Sequence, residues 1–461
     1  MVRRAGLGQE RVVIPFCDPT RCVAAGCVPT VCTGAGLPSN DELFSRSTGV
    51  IPGGVNSSIR AFTSVGGRPY VVARAEGAHL WDVEGNEYID LVQSYGAVIL
   101  GHAHPAITAA VSEAATGGTS YGAPTPREMK LAEAIVERVG SCEQVRFMNS
   151  GTEATSTAVR LARGYTGRDR VVIFHGNFHG ATDALLAAGG SGVATLGLPG
   201  TAGVPAGAVA ETMVVPYNRI PELDESVACV IVEPVAANMG VVAPQPGFLE
   251  GLRAECDRVG AVLVFDEVIT GFRLGAGGAQ AKYDVWPDLT TFGKVIGGGL
   301  PIGAVGGRRE IMETLSPLGP VFHAGTLSGN PIATAAGLAA LNELNGDVYI
   351  ELMARARHLA SLLRDACASA GFPAQFPVVG TLLGVVCGDA GDADDLPVDF
   401  EGAKRTDEAA YARFFHAMLA EGVAMAPGAY EAIFVGLAHT DEVIERIADR
   451  AQRAAAVATA G

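Results

Sequence analysis

The sequence predicts an α/β fold, with a large domain built on a mostly parallel central sheet and a smaller α+β domain after it. Between about residues 91 and 345, apolar runs of four to six residues alternate with helical patterns. Runs that are apolar at every position are typical of strands buried on both faces of a parallel sheet. After residue 345 long helical patterns flank short strand candidates, which predicts a second domain over residues 346–461.

The individual elements follow from these patterns in chain order. Residues 39–90 form an N-terminal segment, in which strands at 71–72, 79–81 and 88–91 would make a small antiparallel unit with a turn at residues 84–86. The helices and strands expected in the large domain are 151–165, 170–174, 228–232, 246–259, 261–265 and 289–292. Those expected in the small domain are 349–370, 382–386, 408–421 and 433–436.

The composition of the chain indicates which classes of binding partner are disfavoured. The chain has 461 residues, 48% of them hydrophobic and 18% charged, so most of it is expected to be globular. Its formal net charge of −16 disfavours nucleic acid and anionic membranes, because both are bound by an excess of lysine and arginine. No apolar run approaches the roughly 20 residues that span a bilayer. Polar residues at 9–11 interrupt any apolar stretch of a signal peptide, so we expect a cytoplasmic protein.

The first 38 residues differ from the rest of the chain. They are rich in Gly, Pro and Thr, and their four cysteines recur every five residues at Cys17, Cys22, Cys27 and Cys32. This spacing lacks the close Cys-x-x-Cys pairs of usual zinc or iron–sulfur sites. We expect a disordered extension or an upstream mis-start of the reading frame, with a metal or redox patch as the alternative.

Lysine is scarce, and one lysine stands in an unusual context. Lys294 lies between the apolar run 289–292 and a run of glycines at 297–299. A lysine in apolar surroundings loses its proton more easily, and the neutral amine can form an imine with an aldehyde. The alternative is a lysine whose ammonium reaches solvent from the end of a strand. The other three lysines, in surface-like contexts, are Lys130, Lys282 and Lys404.

Glu233, Asp266 and Lys294 lie at or just after apolar runs, and the active site of a parallel sheet usually lies at the carboxyl ends of its strands. Three further patterns suggest a site. Asp266 follows an apolar run, and a buried carboxylate there needs a positive partner, either a protonated ring nitrogen or a structural ion pair. Ser150-Gly151-Thr152 opens a helix and suits a phosphate, although Ser and Thr also cap helices ordinarily. Phe178 could stack on a flat ring or simply pack in the core. The histidines of the Gly-His-Ala-His-Pro motif at 101–105 lack further ligands at metal spacing, so no metal is expected.

Seven motifs in order resemble the class III, fold-type I aminotransferases from about Ser39 to the C-terminus. Such a dense set is far more specific than a single glycine-rich match. The motifs are Pro52-Gly53-Gly54-Val55-Asn56-Ser57, Gly101-His102-Ala103-His104-Pro105, Asn149-Ser150-Gly151-Thr152-Glu153-Ala154, Glu233-Pro234-Val235, Asp266-Glu267-Val268-Ile269-Thr270-Gly271-Phe272-Arg273, Gly293-Lys294-Val295-Ile296-Gly297-Gly298-Gly299 and Gly325-Thr326-Leu327-Ser328-Gly329-Asn330-Pro331.

The resemblance implies a cofactor, pyridoxal 5'-phosphate, and a role for individual residues. Lys294 would hold the cofactor and move the proton, Asp266 would pair with the pyridine nitrogen, and Val268 would pack on one ring face. The residues implied to complete the cofactor site are Ser150, Gly151 and Thr152 at the phosphate, Thr326 at the phosphate of the neighbouring subunit, Phe178 on the ring and Asn238 near the phenolic oxygen. Those implied to bind substrate are Ser57, Arg60, Tyr95 and Glu431.

The resemblance is closest to the aminomutase branch of the family. It implies conversion of glutamate-1-semialdehyde to 5-aminolevulinate for tetrapyrrole (porphyrin) synthesis, with the pyridoxamine 5'-phosphate form in the cycle. It also implies a homodimer, a transient handover of substrate from glutamyl-tRNA reductase, and a mobile lid over residues 189–207.

The motifs depart from that branch at Tyr95, where tryptophan is usual, at Phe178, where tyrosine is usual, at Ala188, which is often lysine, and in the segment after His179. Tyr95 and that segment keep open a class III ω-aminotransferase that uses separate amino donors and acceptors. A catalytically dead relative with a binding role is a third alternative, which the retention of Lys294, Asp266 and Thr326 disfavours.

Overall fold

A computed structural model describes residues 38–187, 200–388 and 396–460 of the chain. The expectations for residues 1–37, with their four cysteines, for Ala188 and for most of the predicted lid lie outside the described residues. The helices of the described residues are α1 (Asn40–Thr48), α2 (Pro105–Thr116), α3 (Pro126–Arg138), α4 (Gly151–Thr166), α5 (Ala206–Val209), α6 (Phe248–Val259), α7 (Gly278–Tyr283), α8 (Arg309–Met312), α9 (Pro331–Glu343), α10 (Gly346–Ser369), α11 (Phe400–Ala403), α12 (Glu408–Ala420) and α13 (Asp441–Ala460).

Strands of the described residues form four sheets. The large sheet has seven strands in the order β4-β10-β9-β8-β7-β5-β6, and the other three sheets are smaller. The strands are β1 (Val72–Glu76), β2 (His79–Asp82), β3 (Glu87–Asp90), β4 (Gln144–Met148), β5 (Arg170–Phe174), β6 (Thr212–Val215), β7 (Val227–Val232), β8 (Val262–Asp266), β9 (Leu289–Phe292), β10 (Gly303–Gly307), β11 (Ala374–Gln375), β12 (Val378–Val379), β13 (Leu382–Leu383), β14 (Val386–Cys387), β15 (Val423–Ala424) and β16 (Ile433–Phe434).

The large sheet is mostly parallel, as the apolar runs predict. Strands β6, β5, β7, β8 and β9 pair in parallel, and β10 alone runs antiparallel to its neighbours β9 and β4. Successive side chains of a strand point to opposite faces. In β7, Val230 and Val232 pack with Leu252 of α6 on one face. Cys229 and Ile231 pack with Leu161 of α4 on the other. Helices therefore cover both faces of this sheet.

Helices and strands from the last part of the chain pack against residues 39–90. Strands β1, β2 and β3 form the expected antiparallel unit, and β15 from the C-terminal part of the chain pairs in parallel with β3. One hydrophobic cluster includes Phe62 and Ile89 of this segment together with Leu359 of α10, Phe414 of α12 and Ile447 of α13. The first and last parts of the chain thus share one core beside the large domain.

Two global properties of the described residues concern their cysteines and their helices. Their five cysteines are all free and buried, as expected for small apolar side chains in a core: Cys142, Cys229, Cys256, Cys367 and Cys387. Among the helices that the structure describes, none combines the length and apolar character needed to cross a membrane.

Candidate active site

The carboxyl ends of five strands of the large sheet converge on one cavity. Its volume is about 250 Å³. The strands β4, β5, β7, β8 and β9 run in the same direction, so the residues that follow them meet at one edge of the sheet. The predicted site residues that line this cavity are Ser150, Gly151, Thr152, Phe178, Asn238, Asp266, Val268 and Lys294.

Lys294 begins a short 3-10 turn directly after β9. Its backbone φ is 46°, a left-handed value that side-chain-bearing residues seldom adopt. Burial lowers the pKa of the Lys294 ammonium, while the charges of Asp266, Glu233 and Glu431 act in the opposite direction. The lysine therefore has the neutral amine more readily available than an exposed lysine has.

Asp266 is the last residue of β8. Its side chain is buried, and both carboxylate oxygens take part in hydrogen bonds. Its Oδ2 lies 2.7 Å from Nδ1 of His179. Its Oδ1 accepts hydrogen bonds from the Thr291 hydroxyl at 3.0 Å and from the Val268 amide at 3.1 Å. Because a carboxylate only accepts, Nδ1 of His179 carries the proton. These three donors fix the orientation of the carboxylate inside the cavity.

His179 is a functional candidate that sequence reasoning missed. Its side chain is buried, and its Nε2 has no hydrogen-bond partner among the described residues. The sequence shows only a histidine after Phe178, 87 residues away from Asp266. The signal that could have pointed to it is its place after a strand end on the edge that also carries Asp266.

Ser150, Gly151 and Thr152 form the N-terminal turn of α4. Ser150 is the N-cap, and its hydroxyl accepts a hydrogen bond from the Glu153 amide at 3.2 Å. The Thr152 hydroxyl accepts from the Ala181 amide at 3.2 Å. Unpaired amides and the helix dipole at such a turn attract anions. The geometry of this turn suits an anion at this end of the cavity, and we refer to residues 150–152 as the anion-binding turn.

Close approach of the chain at this turn depends on Gly180. Its φ is +83°, and a side chain at this position would collide with the backbone and hydroxyl of Thr152. A glycine there lets the segment after Phe178 lie directly on the anion-binding turn.

A second cavity of about 440 Å³ adjoins the first. It is lined by the four predicted substrate residues, Ser57, Arg60, Tyr95 and Glu431. The residues that line both cavities are Phe178, Asn238, Ile269 and Lys294. The lysine therefore lies at the junction between the cavity with the anion-binding turn and the cavity with the exposed guanidinium of Arg60.

Tyr95 lines the second cavity and belongs to a strained turn. Gln93, Ser94 and Tyr95 have φ values of 47°, 52° and 54°, three consecutive left-handed residues that are not glycine. The carboxylate of Asp90 supports the turn by accepting from the amides of Val92 at 2.8 Å and Gln93 at 3.1 Å. Burial and the nearby charge of Glu431 raise the pKa of Tyr95, so its hydroxyl keeps its proton.

Arg273 holds the far end of this turn and was not assigned a role from the sequence. Its side chain is completely buried and donates to the carbonyl oxygens of Gly96 at 2.7 Å and Val435 at 3.2 Å. The guanidinium carbon lies 5.2 Å from the centre of the Phe434 ring, which lines the second cavity. Burial lowers the pKa of Arg273 to about 10.

Two other sequence candidates lie outside both cavities. Thr326 is exposed in a turn and is not among the residues that line either cavity of its own chain. Nε2 of His102 lies 2.6 Å from Oδ2 of Asp90, so this histidine belongs to a structural pair. In the part of the chain that the structure describes, no group of three or more His, Cys, Asp or Glu side chains is arranged to hold a metal ion.

Comparisons with known proteins agree with this arrangement. The family profile described as Aminotransferase class-III matches residues 62–454. A relative from Bordetella avium named glutamate-1-semialdehyde 2,1-aminomutase is 50% identical over 429 residues, covering 91% of this chain and 99% of its own. A relative of the same name from Desulfovibrio desulfuricans is 52% identical over 419 residues, covering 89% and 98%. The crystal structure of an ω-transaminase from Sphaerobacter thermophilus, 31% identical, covers 92% of this chain and 99% of its own with a TM-score of 0.83.

Proposed function

This chain belongs to the class III aminotransferases, which depend on pyridoxal 5'-phosphate, and on that premise we propose that it converts glutamate-1-semialdehyde to 5-aminolevulinate. The amino group would be exchanged within one substrate molecule, which supplies tetrapyrrole synthesis. The observation that carries the proposal is the position of Lys294, which lines both the cavity with Asp266 and the cavity with Arg60. A proton held by the Lys294 amine can therefore reach groups in both cavities.

The residues of the first cavity fit the cofactor. The turn Ser150–Thr152 offers amides and a hydroxyl to a phosphate, and the buried Asp266 offers a negative charge to a protonated pyridine nitrogen. The ring of Phe178 and the side chain of Val268 supply flat and apolar contacts, and Lys294 supplies an amine for the aldehyde. When bound, the cofactor supplies an electron sink for the carbon that loses a proton.

Lys294 is the residue proposed to move that proton. Its lowered pKa favours the neutral amine, which would accept a proton from one carbon and deliver it to another, between the substrate and the cofactor. Asp266 keeps its charge pointed into the cavity through its three hydrogen-bond donors. The fixed carboxylate needs little rearrangement during the reaction, which is the basis of electrostatic preorganisation.

The second cavity is proposed to bind the substrate. The guanidinium of Arg60 matches the geometry of the substrate carboxylate and can hold it with two parallel hydrogen bonds. Ser57 and the protonated hydroxyl of Tyr95 offer further donors, and Glu431 offers an acceptor for an amino group. This polarity suits a short substrate with a carboxylate at one end and amine or aldehyde groups at the other.

A single-substrate assay tests the proposal. Purified protein, loaded with the pyridoxamine form of the cofactor, is given glutamate-1-semialdehyde and no amino donor, and 5-aminolevulinate is quantified. We expect many turnovers per site, with the same rate for Lys282→Ala, since Lys282 packs over the Tyr283 ring outside both cavities. Formation of 5-aminolevulinate only after a separate amine is added would overturn the proposal.

A class III ω-aminotransferase is the second candidate. Tyr95 stands in the substrate cavity where the aminomutase branch usually has tryptophan, and the ω-transaminase structure shares the fold. A pair of amine donor and keto acceptor that turns over faster than the semialdehyde alone would favour this candidate.

We also propose that the protein works as a homodimer. Three large apolar side chains around Thr326 are exposed, Leu318 at 72%, Phe322 at 69% and Leu327 at 50%. We propose that a second subunit covers these side chains, and that Thr326 then contributes to the phosphate site of its partner, as the family resemblance implies. Light scattering of the purified protein is expected to give a mass of two chains, and a monomer with full activity would contradict this.

Two further proposals concern the setting of the reaction. The free, buried cysteines of the described residues suit a reducing compartment, so we propose that the enzyme works in the cytoplasm. We propose that the reactive semialdehyde reaches it by transient handover from glutamyl-tRNA reductase. Product formation in a coupled assay that resists an added aldehyde trap would support the handover, and complete trapping would contradict it.

A further inference from the structure

Glu233 is a buried carboxylate at the end of β7 to which the function above assigns no role. Its side chain lines the first cavity and is only 3% exposed. Its Oε1 accepts a hydrogen bond from the Phe178 amide at 2.6 Å. Its Oε2 accepts from the Asn238 side chain at 2.9 Å and from the Ala237 amide at 3.1 Å. One carboxylate thus joins two separate segments of the site.

The groups that Glu233 holds are the ones at the junction of the two cavities. Phe178 and Asn238 line both cavities, whereas Glu233 lines only the first. Phe178 follows β5 and Asn238 follows β7, and the Glu233 carboxylate hydrogen-bonds directly to both segments. We therefore expect the position of the Phe178 ring and the Asn238 amide relative to Lys294 to depend on the Glu233 side chain.

Glu233 is itself held firmly. Its backbone amide donates to Oδ1 of Asn177 at 2.9 Å, and its carbonyl accepts from the Tyr217 hydroxyl at 3.1 Å. Both of these partners are buried. A carboxylate on such a fixed backbone can orient the groups that donate to it.

We propose that Glu233 is a positioning residue that sets the Phe178 ring and the Asn238 amide relative to each other, and so aligns the cofactor ring for proton transfer at Lys294. The inference rests on the proposed function only in naming the proton transfer that this alignment serves. Its contacts with Phe178 and Asn238 do not depend on the identity of the substrate.

The chemistry of the side chain explains why glutamate is needed. When the carboxyl of Glu233 is ionised, which its raised pKa of about 7 places above neutral pH, both of its oxygens accept, and here all three partners are donors. In Glu233→Gln one oxygen becomes an NH₂ group, which would face donors on one side. Leaving a buried donor without an acceptor is costly, so either the Phe178 segment or the Asn238 segment is expected to move.

A matched pair of variants separates positioning from general stability. Glu267 is also buried, and its carboxylate accepts from the Ala279 amide and from two groups of Gln280, but it lines neither cavity. Both Glu233→Gln and Glu267→Gln are expected to lower thermal stability. Only Glu233→Gln is expected to shift the visible absorption band of the bound cofactor and to lower kcat, by roughly 10- to 100-fold.

A double-mutant cycle with Asn238→Ala tests whether Glu233 acts through that amide. We expect the losses in kcat for Glu233→Gln and Asn238→Ala to be strongly non-additive, because the second change removes a group that the first has already released. The losses for Glu267→Gln and Asn238→Ala are expected to add. If Glu233→Gln does not fold, Glu233→Asp, which withdraws the carboxylate by one carbon, replaces it in the same cycle.

Two results would overturn the inference: an unchanged cofactor band in the Glu233 variant, or additive losses with Asn238→Ala. The cofactor band is also measured without substrate, so its outcome does not depend on which reaction the enzyme performs. A wild-type protein that fails the single-substrate assay but shows the band shift in the Glu233 variant would remove the proposed function and leave this inference standing.

Discussion

Nδ1 of His179 and Oδ2 of Asp266 lie 2.7 Å apart, and both side chains are almost completely buried. The imidazole adds a third donor to a carboxylate that also accepts from Thr291 and Val268. A charge at the end of a buried strand is stable only when it is satisfied in this way. The pair therefore keeps a negative charge in place at the centre of the site.

Removing the imidazole should release Asp266 from its fixed orientation. We expect His179→Ala to lower kcat by roughly tenfold or more, because a hydrogen bond to a charged group contributes about 1.5–3 kcal/mol. In His179→Asn the amide nitrogen can replace Nδ1 as the donor, so part of the activity should return. Steady-state kinetics of the two variants measures the difference, and equal rates for both would contradict this role.

Arg60 should affect binding of the substrate rather than the chemical step. We expect Arg60→Gln to raise KM by roughly tenfold or more with a small change in kcat, since it removes a charged hydrogen-bond donor. Arg68→Gln is the control, because Arg68 is exposed, lies 3.4 Å from Asp41 and lines neither cavity. An unchanged KM in Arg60→Gln would show that the substrate carboxylate binds elsewhere.

Arg273 should matter most for stability. Arg273→Met leaves the carbonyl oxygens of Gly96 and Val435 without their donor, at a cost of roughly 2–5 kcal/mol in the free energy of unfolding. Urea denaturation measures this loss. Arg355→Met removes one bond to the Leu437 carbonyl and two ion pairs with the exposed carboxylates of Glu351 and Asp441. It should cost less, because exposed ion pairs contribute little. Equal losses would mean that the left-handed turn at residues 93–95 does not depend on Arg273.

The stability of the protein should depend on pH through Glu233. The pKa of this carboxyl is raised to about 7, chiefly by burial. His179 opposes the rise, the nearby charge of Asp266 adds to it, and the hydrogen bonds from Phe178 and Asn238 oppose it. Lys294 and the Tyr217 hydroxyl also face this group. A carboxyl whose pKa is higher in the folded state binds more protons there, so its contribution to stability is present at low pH and is lost as pH rises to about 7.

Thermal melting between about pH 5 and 8 checks this direction. The stability of the wild type relative to Glu233→Gln is expected to fall between pH 5 and 7 and then to level off. Glu442→Gln, a change at an exposed position of α13, serves as the control and should show no such trend. A difference between wild type and Glu233→Gln that rises with pH would contradict the shift.

The strands of the large sheet were predictable because their residues are apolar on both faces. The runs at 170–174 and 289–292 match β5 and β9 without a change of bounds, and Lys294 stands out by its neighbours alone. The strand expected at 382–386 is instead two short strands, β13 and β14, on different sheets. Two-residue strands have no period that could be recognised in a sequence.

Relations between distant residues could not be predicted from local patterns. The parallel pairing of β15 with β3 places Val423 opposite Ile89, and neither segment has a local sequence pattern that predicts this pairing. The left-handed turn at Gln93, Ser94 and Tyr95 contains none of the glycines that usually mark positive φ. These features arise from tertiary contacts, which override local propensity.

The central claim is that Lys294 holds the cofactor and moves the proton. The most direct measurement is the visible absorption spectrum of Lys294→Ala, together with its rate of 5-aminolevulinate formation, compared with Lys282→Ala. We expect the band of lysine-bound cofactor to be absent and the rate to fall by several orders of magnitude in Lys294→Ala alone. A variant that keeps both the band and the wild-type rate would contradict the account.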